Sequence, residues 1–245
     1  MLKPLRIACA FLTRLPISTG ELQPRQFGAA AACFPLVGLG IGAFGLGFVK
    51  LIEPALGPGL SAWLWLAAAA LITGGLHLDG LADWFDAVGG GRGERARMLE
   101  ILRDPRLGAH GACALVLLLA AKQSALAGMP VESLPLALLG APALARALAT
   151  WLLVVYPSAR SEGLGATFAS QVQARHVFWA GLCAGAVCAP FGAAAIAPCF
   201  FCSLAALLLG AWAHKRIGGI NGDVCGAAIE VAELAFWVAC RATAG

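Results

Sequence analysis

The sequence predicts an all-α protein, a polytopic integral membrane helix bundle of about seven transmembrane helices, with a range of six to eight. Hydrophobic residues make up 60% of the 245-residue chain and charged residues only 12%, about half the charged fraction of a typical soluble domain. Segments that cross a bilayer must satisfy their own backbone hydrogen bonds, which favours helices. The composition therefore excludes an ordinary soluble domain, a disordered chain and a nucleic-acid-binding protein. We expect a single membrane-embedded catalytic domain over 1–245.

Seven segments approach the roughly 20 apolar residues that a transmembrane helix requires. They are 28–52, 60–76, 109–128, 134–156, 177–192, 196–213 and 224–241. The fifth and sixth are separated only by a short segment with Pro and Gly, so they form a tight hairpin or a single broken pair. The apolar stretch within 1–26 is short and interrupted by Arg14, which predicts an uncleaved N-terminal segment at the membrane interface.

The basic residues predict the orientation of the bundle. Thirteen of the 17 Lys and Arg residues occur in the N-terminal segment and in the loops 77–108, 157–176 and 214–223. The opposite connections carry Glu53 and Glu132 and no Lys or Arg. The positive-inside rule places the basic segments in the cytoplasm, and we expect 77–108 to be the main cytoplasmic catalytic loop.

Three aspartates form the densest polar pattern in the chain. Asp79, Asp83 and Asp86 are spaced i, i+4, i+7, which places them on one narrow stripe of a helix. Carboxylates this close raise one another's pKa unless a cation lies between them. Their oxygens suit Mg²⁺, which takes one or two protein carboxylates together with substrate phosphate oxygens. The alternative is a solvated acidic face, but no Lys or Arg is interleaved between residues 77 and 91.

A second acidic element lies at 217–234. Asp223 and Glu230 are seven residues apart and share a helical face, and Glu230 lies in an apolar run where a carboxylate is costly and usually functional. Gly222 gives the preceding loop the freedom to close on a ligand. The alternative is an ordinary loop followed by a helix that Asp223 caps, which leaves Glu230 unexplained.

Several cations could act on phosphate groups. Arg103 and Arg106 lie in a glycine-containing segment, and arginine binds phosphate in bidentate fashion; the alternative is a positive-inside anchor. Lys122 and Arg146 lie deep in apolar spans, where each costs roughly 2.5–3.5 kcal/mol. They therefore line a polar cavity or pair with the buried glutamates. Arg160 adds a further basic loop on the cytoplasmic side.

These segments, in this order, resemble the cobalamin synthase family, the adenosylcobinamide-GDP ribazoletransferases. The resemblance runs nearly end to end through FLTRLP (11–16), GGLHLDGLADWFDA (74–87), RDPRLGAHG (103–111), Lys122, Pro142 with Arg146, RSEGLG (160–165) and GGINGDVCGA (218–227). In one departure, Trp84 and Phe85 stand between the aspartates where the family commonly has small residues. No carboxylate is lost by this change, but it leaves the packing of the segment open.

The resemblance implies a Mg²⁺-dependent transferase of the last steps of cobalamin biosynthesis. A hydroxyl of α-ribazole, or of its 5′-phosphate, attacks the cobinamide-proximal phosphorus of adenosylcobinamide-GDP, and GMP leaves. The product is adenosylcobalamin or its 5′-phosphate. The family resides in the cytoplasmic (inner) membrane, so we expect a multi-pass protein with its active site facing the cytoplasm and with the lipid bilayer and these small molecules as partners. Small-residue spacings such as Gly38/Gly42 and Gly181/Gly185 suit helix packing within a chain or in a homo-oligomer.

Each candidate residue takes a role in this reaction. The expected metal ligands are Asp79, Asp83, Asp86, Asp223 and Glu230. The expected catalytic residues are Asp83, His77, Arg103 and Arg106, with the arginines neutralising the departing GMP. The expected substrate-binding residues are Lys122, Arg146, Arg160 and Gly222. His77 falls 160° from the aspartate stripe, so it ranks behind a carboxylate as the general base.

Two other functions compete with this interpretation. A CDP-alcohol-type lipid phosphotransferase also uses aspartates on membrane helices, but it carries an Ala-Arg pair after its first Asp-Gly. Here Asp79-Gly80 is followed by Leu81-Ala82-Asp83, which fits poorly. A membrane transporter would use the buried charges to line a substrate path. Transporters often show internal repeats, and the two acidic elements of this chain differ in sequence and spacing.

Overall fold

The computed structural model describes residues 2–160 and 164–243, and all regular elements in these ranges are helical. The all-α prediction is therefore confirmed; the only extended pairing described is a single bridge between Ser158 and Ile220. The α-helices in these ranges are α1 (Leu2–Leu12), α2 (Arg25–Ala32), α3 (Phe34–Thr73), α4 (Leu76–Gly90), α5 (Arg95–Ile101), α6 (Ala109–Ala127), α7 (Ala141–Val155), α8 (Leu164–Gln171), α9 (Ala174–Cys188), α10 (Ile196–Ile217) and α11 (Gly222–Ala242). A π-helical turn, Leu136–Gly140, leads into α7, and a 3₁₀ segment, Ala189–Ala195, joins α9 to α10.

Helix α3 is two antiparallel halves joined at Gly57. Gly57 has φ 73° and ψ 164° and is flanked by Pro54 and Pro58, a combination that a continuous helix does not tolerate. A Cβ at Gly45 would lie 2.5 Å from the ring of Trp65, although 20 residues of straight helix would span about 30 Å. The chain therefore reverses direction, as the separate predicted spans 28–52 and 60–76 require.

A second reversal joins α9 to α10. Gly192 has φ 53° and ψ −131°, a conformation that favours glycine. The side chains of Cys188 and Cys199 lie close enough to hydrogen-bond, although 11 residues of straight helix would separate them by about 16 Å. The chain therefore reverses direction between 177–192 and 196–213, but the two helices do not form the predicted tight hairpin: α9 packs against α7, and α10 packs against α11 and α7.

The long helices have the length and apolarity expected of a membrane-spanning bundle. Four described helical stretches, Phe34–Thr73, Ala109–Ala127, Leu136–Val155 and Ala174–Ile217, are long and apolar enough to cross a membrane. The two reversals raise these to six crossings, and α11, with 21 residues, is about 31 Å long and can make a seventh. The estimate of about seven transmembrane helices agrees with this count.

The N-terminal region differs from the prediction in detail. Residues 28–32 belong to α2 and not to the first long helix, which begins at Phe34 after an interruption at Cys33. Pro35 occupies the first turn of α3, a position where proline starts a helix well but cannot continue a preceding one. Helix α1 packs against α2 and α3 and buries Ile7 and Leu12.

The predicted catalytic loop 77–108 is largely helical. Helix α4 lies between α6 and α11 inside the bundle, so the irregular parts of this segment are confined to the turns before and after α5. Gly74 and Gly75, with φ 65° and 71°, provide the turn that separates α4 from α3.

Trp84 is fully buried and contacts Trp212 edge-on, with ring centroids 5.4 Å apart. The bulky residues between the aspartates therefore pack against α10.

Helix α11 is the centre of the bundle. It contacts α4, α6, α7 and α10, and most of its residues from Val224 to Cys240 are buried.

Gly38 and Gly42 of α3 touch the backbone of the π turn and α7, so this predicted small-residue pair packs helices within the chain. Gly181 and Gly185 on α9 have open space at their Cβ positions.

Candidate active site

Glycines on α4 and α11 bring the two acidic elements together. A Cβ at Gly80 would lie 2.8 Å from the carbonyl oxygen of Asp223, and a Cβ at Gly226 would lie 3.2 Å from the backbone of His77. The two helices therefore approach more closely than larger residues would permit. Asp79 and Asp83, one turn apart on α4, consequently meet the first turn of α11 at Asp223.

Asn221, and not Asp223, caps α11. The Asn221 side-chain oxygen accepts a hydrogen bond from the amide of Val224 at 3.0 Å, and its amide nitrogen donates to Asp223 Oδ2 at 2.7 Å. The alternative in which Asp223 caps the helix is therefore wrong. Its carboxylate is not used as the cap and can take part in the site. Asn221 was not among the predicted site residues, although asparagine before a helix is a common capping signal.

Arg160 is the cation that the structure places at this cluster. Its guanidinium donates to Asp223 Oδ2 at 3.0 Å and to the Leu102 carbonyl at 2.5 Å. It therefore ties the start of α11 to the segment after α5. The rest of the predicted RSEGLG element includes residues 161–163, which lie outside the described residues.

The aspartate cluster carries excess negative charge. Burial and, to a lesser extent, the neighbouring carboxylates of Asp223, Asp79 and Asp86 together raise the pKa of Asp83 to about 6. Within the described ranges, neither Asp79 nor Asp83 forms an ion pair or accepts a hydrogen bond. This environment favours binding of a cation.

The donors at the cluster fit Mg²⁺ chemically. Among the described residues, no group of three or more His, Cys, Asp or Glu side chains converges on one metal position. Mg²⁺ does not need such a group, because it typically takes one or two carboxylates and completes its shell with water and substrate phosphate oxygens. Asp79, Asp83 and Asp223 can supply those carboxylates.

Asp86 has a different role from the one predicted. Its Oδ2 accepts the amide of Gly108 at 2.7 Å and its Oδ1 accepts the amide of Gly111 at 2.8 Å. These amides lie at the start of α6, so Asp86 caps that helix. A Cβ on either glycine would collide with the carboxylate. The absence of a side chain at these two positions therefore leaves room for the Asp86 carboxylate. We leave Asp86 out of the proposed metal site for this reason.

A second charge cluster lies deeper in the bundle. Lys122 Nζ donates to Glu230 at 2.5 Å and to Glu233 at 2.9 Å, and Arg146 donates to Glu233 at 2.8 Å. All four side chains are buried, and their formal charges cancel. We call this group the internal charge network. Lys122 and Arg146 therefore pair with the buried glutamates, and the same four side chains also line a small cavity of about 40 Å³.

Glu230 therefore does not join the aspartates. Seven residues of helix separate it from Asp223 by about 10 Å, and Lys122 occupies its carboxylate. Glu233, which we did not assign to the site, bridges Lys122 and Arg146. Its position inside an apolar run was the only sequence signal for such a role.

His77 lies between the internal charge network and the aspartates. It is buried, and its Nδ1 is 3.5 Å from Arg146 Nη2. Its Nε2 has no hydrogen-bond partner among the described residues. The ring is therefore turned toward Arg146, which weakens the case for His77 as the general base.

An apolar cavity of about 140 Å³ lies beside the aspartates, and we call it the acceptor cavity. Asp79, Asp223 and Gly222 form part of its wall, and His77 also contacts it. The rest of the wall is largely apolar and includes Phe11, Leu12, Phe34, Leu153, Phe168 and Ile229. The predicted substrate-binding residue Gly222 therefore does lie at a cavity.

The two predicted phosphate-binding arginines lie on the surface. Arg103 and Arg106 are exposed on the segment between α5 and α6. Arg106 donates to Asp104 from its guanidinium, at 2.6 and 2.9 Å among others, and from its backbone amide at 3.1 Å; these hydrogen bonds lower the pKa of Asp104 to about 2. The described contacts do not join either arginine to the aspartate cluster.

Comparison with known proteins identifies the family of the chain. The sequence profile of the family described as cobalamin-5-phosphate synthase matches residues 4–241. Proteins named adenosylcobinamide-GDP ribazoletransferase are 40% identical in Pseudomonas paraeruginosa and in Pseudomonas aeruginosa, each match covering 97% of both chains. One from Klebsiella pneumoniae is 38% identical over 98% of this chain and 99% of its own. No solved structure matches the chain. The chain therefore belongs to the cobalamin-5-phosphate synthase family.

Proposed function

We propose that this chain joins adenosylcobinamide-GDP to α-ribazole, or to its 5′-phosphate, and releases GMP. The observation that carries the proposal is the cluster of Asp79, Asp83 and Asp223, with Arg160 as its paired cation, at the wall of an apolar cavity. The names of the similar proteins support the same reaction. A phosphate-bearing substrate and an apolar acceptor can both be placed at such a site.

The reaction is a substitution at phosphorus. The acceptor hydroxyl forms a new P–O bond at the cobinamide-proximal phosphorus, the bond to the bridging oxygen breaks, and that oxygen leaves with GMP. Such a transfer depends on positioning and charge neutralisation more than on covalent chemistry. Asp79, Asp83 and Asp223 would hold Mg²⁺ at the diphosphate. When bound, the ion neutralises charge on the phosphoryl oxygens.

The hydroxyl proton needs an acceptor within the cluster. Asp83 is the best candidate because it is half-buried within the cluster, and the carboxylate oxygen that does not bind the ion can accept the proton. His77 ranks second because its ring faces Arg146 at 3.5 Å. Arg103 and Arg106, exposed near the start of α6, would attract the nucleotide part of the substrate.

We place the site at the cytoplasmic face of the inner membrane. Arg95 approaches Gly218 at the end of α10, and Arg216 approaches Gly93 after α4. Basic residues thus surround the end of the bundle that carries Asp223, and the positive-inside rule assigns this end to the cytoplasm. A homo-oligomer would have the open α9 face at Gly181 and Gly185 available for contact.

Product analysis tests the proposed reaction. Protein purified in detergent and supplied with adenosylcobinamide-GDP and α-ribazole should form one cobamide for each GMP released. Omission of either substrate should abolish the product. Nucleotide release from a CDP-alcohol in place of this reaction would indicate a lipid phosphotransferase. Substrate uptake into vesicles without GMP release would indicate a transporter.

The pKa of Asp83 predicts a pH-dependent stability that Mg²⁺ removes. Its pKa is about 6 in the fold against an ordinary 3.8, so the folded protein binds this proton more tightly than the unfolded chain. Without Mg²⁺, its contribution to stability should therefore fall as pH rises from about 4 to above 6. Thermal unfolding across this range, with and without Mg²⁺, measures the effect.

The Asp83→Asn variant is the control for this pH dependence. It should lose the Asp83 contribution in both conditions, because asparagine does not titrate. An unchanged pH profile in this variant would contradict the assignment of the effect to Asp83.

A further inference from the structure

We propose that the acceptor cavity binds the aromatic base of the ribazole substrate, and this inference rests on the proposed function. The base is an apolar fused ring, whereas the other substrate presents a nucleotide and a large amide-bearing macrocycle. The cavity would hold the ring and leave the ribose hydroxyl at the aspartates.

The walls of the cavity suit a flat aromatic ligand. Phe11 of α1, Phe34 of α3 and Phe168 of α8 all line it. The ring centroids of Phe11 and Phe34 lie 4.5 and 5.6 Å from that of Phe168, within the range of favourable aromatic contacts. Leu153 and Ile229 add aliphatic surface from α7 and α11. A bound aromatic ring would therefore meet aromatic and aliphatic side chains from five helices.

The size of the cavity suits a ring and not a whole nucleoside. Its volume is about 140 Å³, and an apolar cavity of about 150 Å³ is known to bind benzene, so the enclosed space would hold the six-membered ring of the base. The sugar must consequently project out of the apolar part. Asp79, Asp223 and Gly222 line the same cavity, so a ring held by the phenylalanines can place its sugar beside the carboxylates.

The polar parts of the other substrate fit this cavity poorly. A guanine base would bury a carbonyl group and ring nitrogens against apolar side chains, which carries a free-energy penalty when they lack partners. A ring nitrogen of the ribazole base, in contrast, is a single acceptor. It can pair with His77 Nε2, a buried atom with no partner among the described residues.

Filling the cavity tests the assignment. A Cβ at Gly222 meets no atom within 4 Å, and Gly222 lines the cavity, so Gly222→Leu adds side-chain volume at the cavity wall. We expect the KM for α-ribazole to rise roughly tenfold or more, since hydrophobic pockets discriminate to this extent for each methylene. The KM for adenosylcobinamide-GDP should stay within about twofold.

Gly181→Leu is the matched control. Its Cβ position on α9 is also free of neighbours within 4 Å, and it does not line the cavity. Both KM values should remain unchanged in this variant.

Enlarging the cavity at a different wall is a second test of the assignment. This test remains informative if Gly222→Leu does not fold. Ile229→Ala removes side-chain volume from α11 at the cavity. It should raise the kcat/KM for a riboside of a larger ring, such as naphthimidazole, relative to that for α-ribazole. Unchanged relative values would contradict the assignment.

Two failures can be told apart. If the wild-type protein forms cobamide but Gly222→Leu raises the KM for adenosylcobinamide-GDP and leaves that for α-ribazole unchanged, the cavity assignment is wrong and the proposed function stands. If the folded wild-type protein forms no cobamide from these substrates, the proposed function fails, and the cavity assignment fails with it.

Discussion

Asp83→Asn should reduce the rate of GMP release by roughly 10²–10⁴-fold, the range expected for loss of a general base. Asparagine keeps the shape of the side chain but neither carries its negative charge nor accepts the hydroxyl proton. Asp83 is half-buried, and the carboxylates of Asp223 and Asp79 act on it, but neither is placed to replace both functions. The measurement is the initial rate of GMP release at saturating substrates over a range of Mg²⁺ concentrations.

The controls separate catalysis from folding. Glu132→Gln makes the same change from carboxylate to amide at an exposed residue outside the site and should leave the rate unchanged. Asp86→Asn should lower stability by about 1 kcal/mol through loss of the α6 cap while retaining the Mg²⁺ dependence. Full turnover by Asp83→Asn with a normal Mg²⁺ requirement would contradict the site.

Lys122→Leu should destabilise the protein by about 3–5 kcal/mol, the cost of removing one partner from a buried ion pair. Lys122 neutralises Glu230 and shares Glu233 with Arg146, so its loss leaves a buried carboxylate without a cation. The measurement is the thermal unfolding midpoint in detergent. Lys215→Leu, at an exposed lysine, is the control and should change the midpoint little.

A double variant identifies the cause of this destabilisation. Lys122→Leu combined with Glu230→Leu removes both charges and should recover much of the lost stability, because apolar replacement of a whole buried pair is often neutral. If Lys122→Leu instead keeps wild-type stability but raises the KM for a substrate, Lys122 lines a substrate cavity and the internal charge network is not structural.

The fold followed from the sequence because apolar length and breaking residues suffice to locate membrane helices. The reversals lie near Gly57 and Gly192, where the predicted spans are interrupted. The stripe of Asp79 and Asp83 also followed from helical periodicity alone. The meeting of these residues with Asp223 was predicted from the shared charge, and the structure adds the close helix contact at Gly80.

The partners of individual side chains did not follow from the sequence. Asp86 shares the stripe of Asp83, but the start of α6 covers it, and spacing within one helix does not reveal which helix lies opposite. Glu230 shares a face with Asp223, yet Lys122, 108 residues away in sequence, binds it.

The acceptor cavity was not predictable from composition either. Phe11, Phe34 and Phe168 come from three separate helices. In a chain that is 60% hydrophobic, three phenylalanines give no signal by themselves. Only their packing around one space identifies them as a wall.

The most direct test of the account is GMP release by the detergent-purified protein with adenosylcobinamide-GDP and α-ribazole, measured with Mg²⁺ and with EDTA. We expect GMP release with Mg²⁺, loss of GMP release with EDTA, and recovery of GMP release when Mg²⁺ is restored. Equal rates of GMP release in EDTA and in Mg²⁺ would contradict a metal site at Asp79, Asp83 and Asp223.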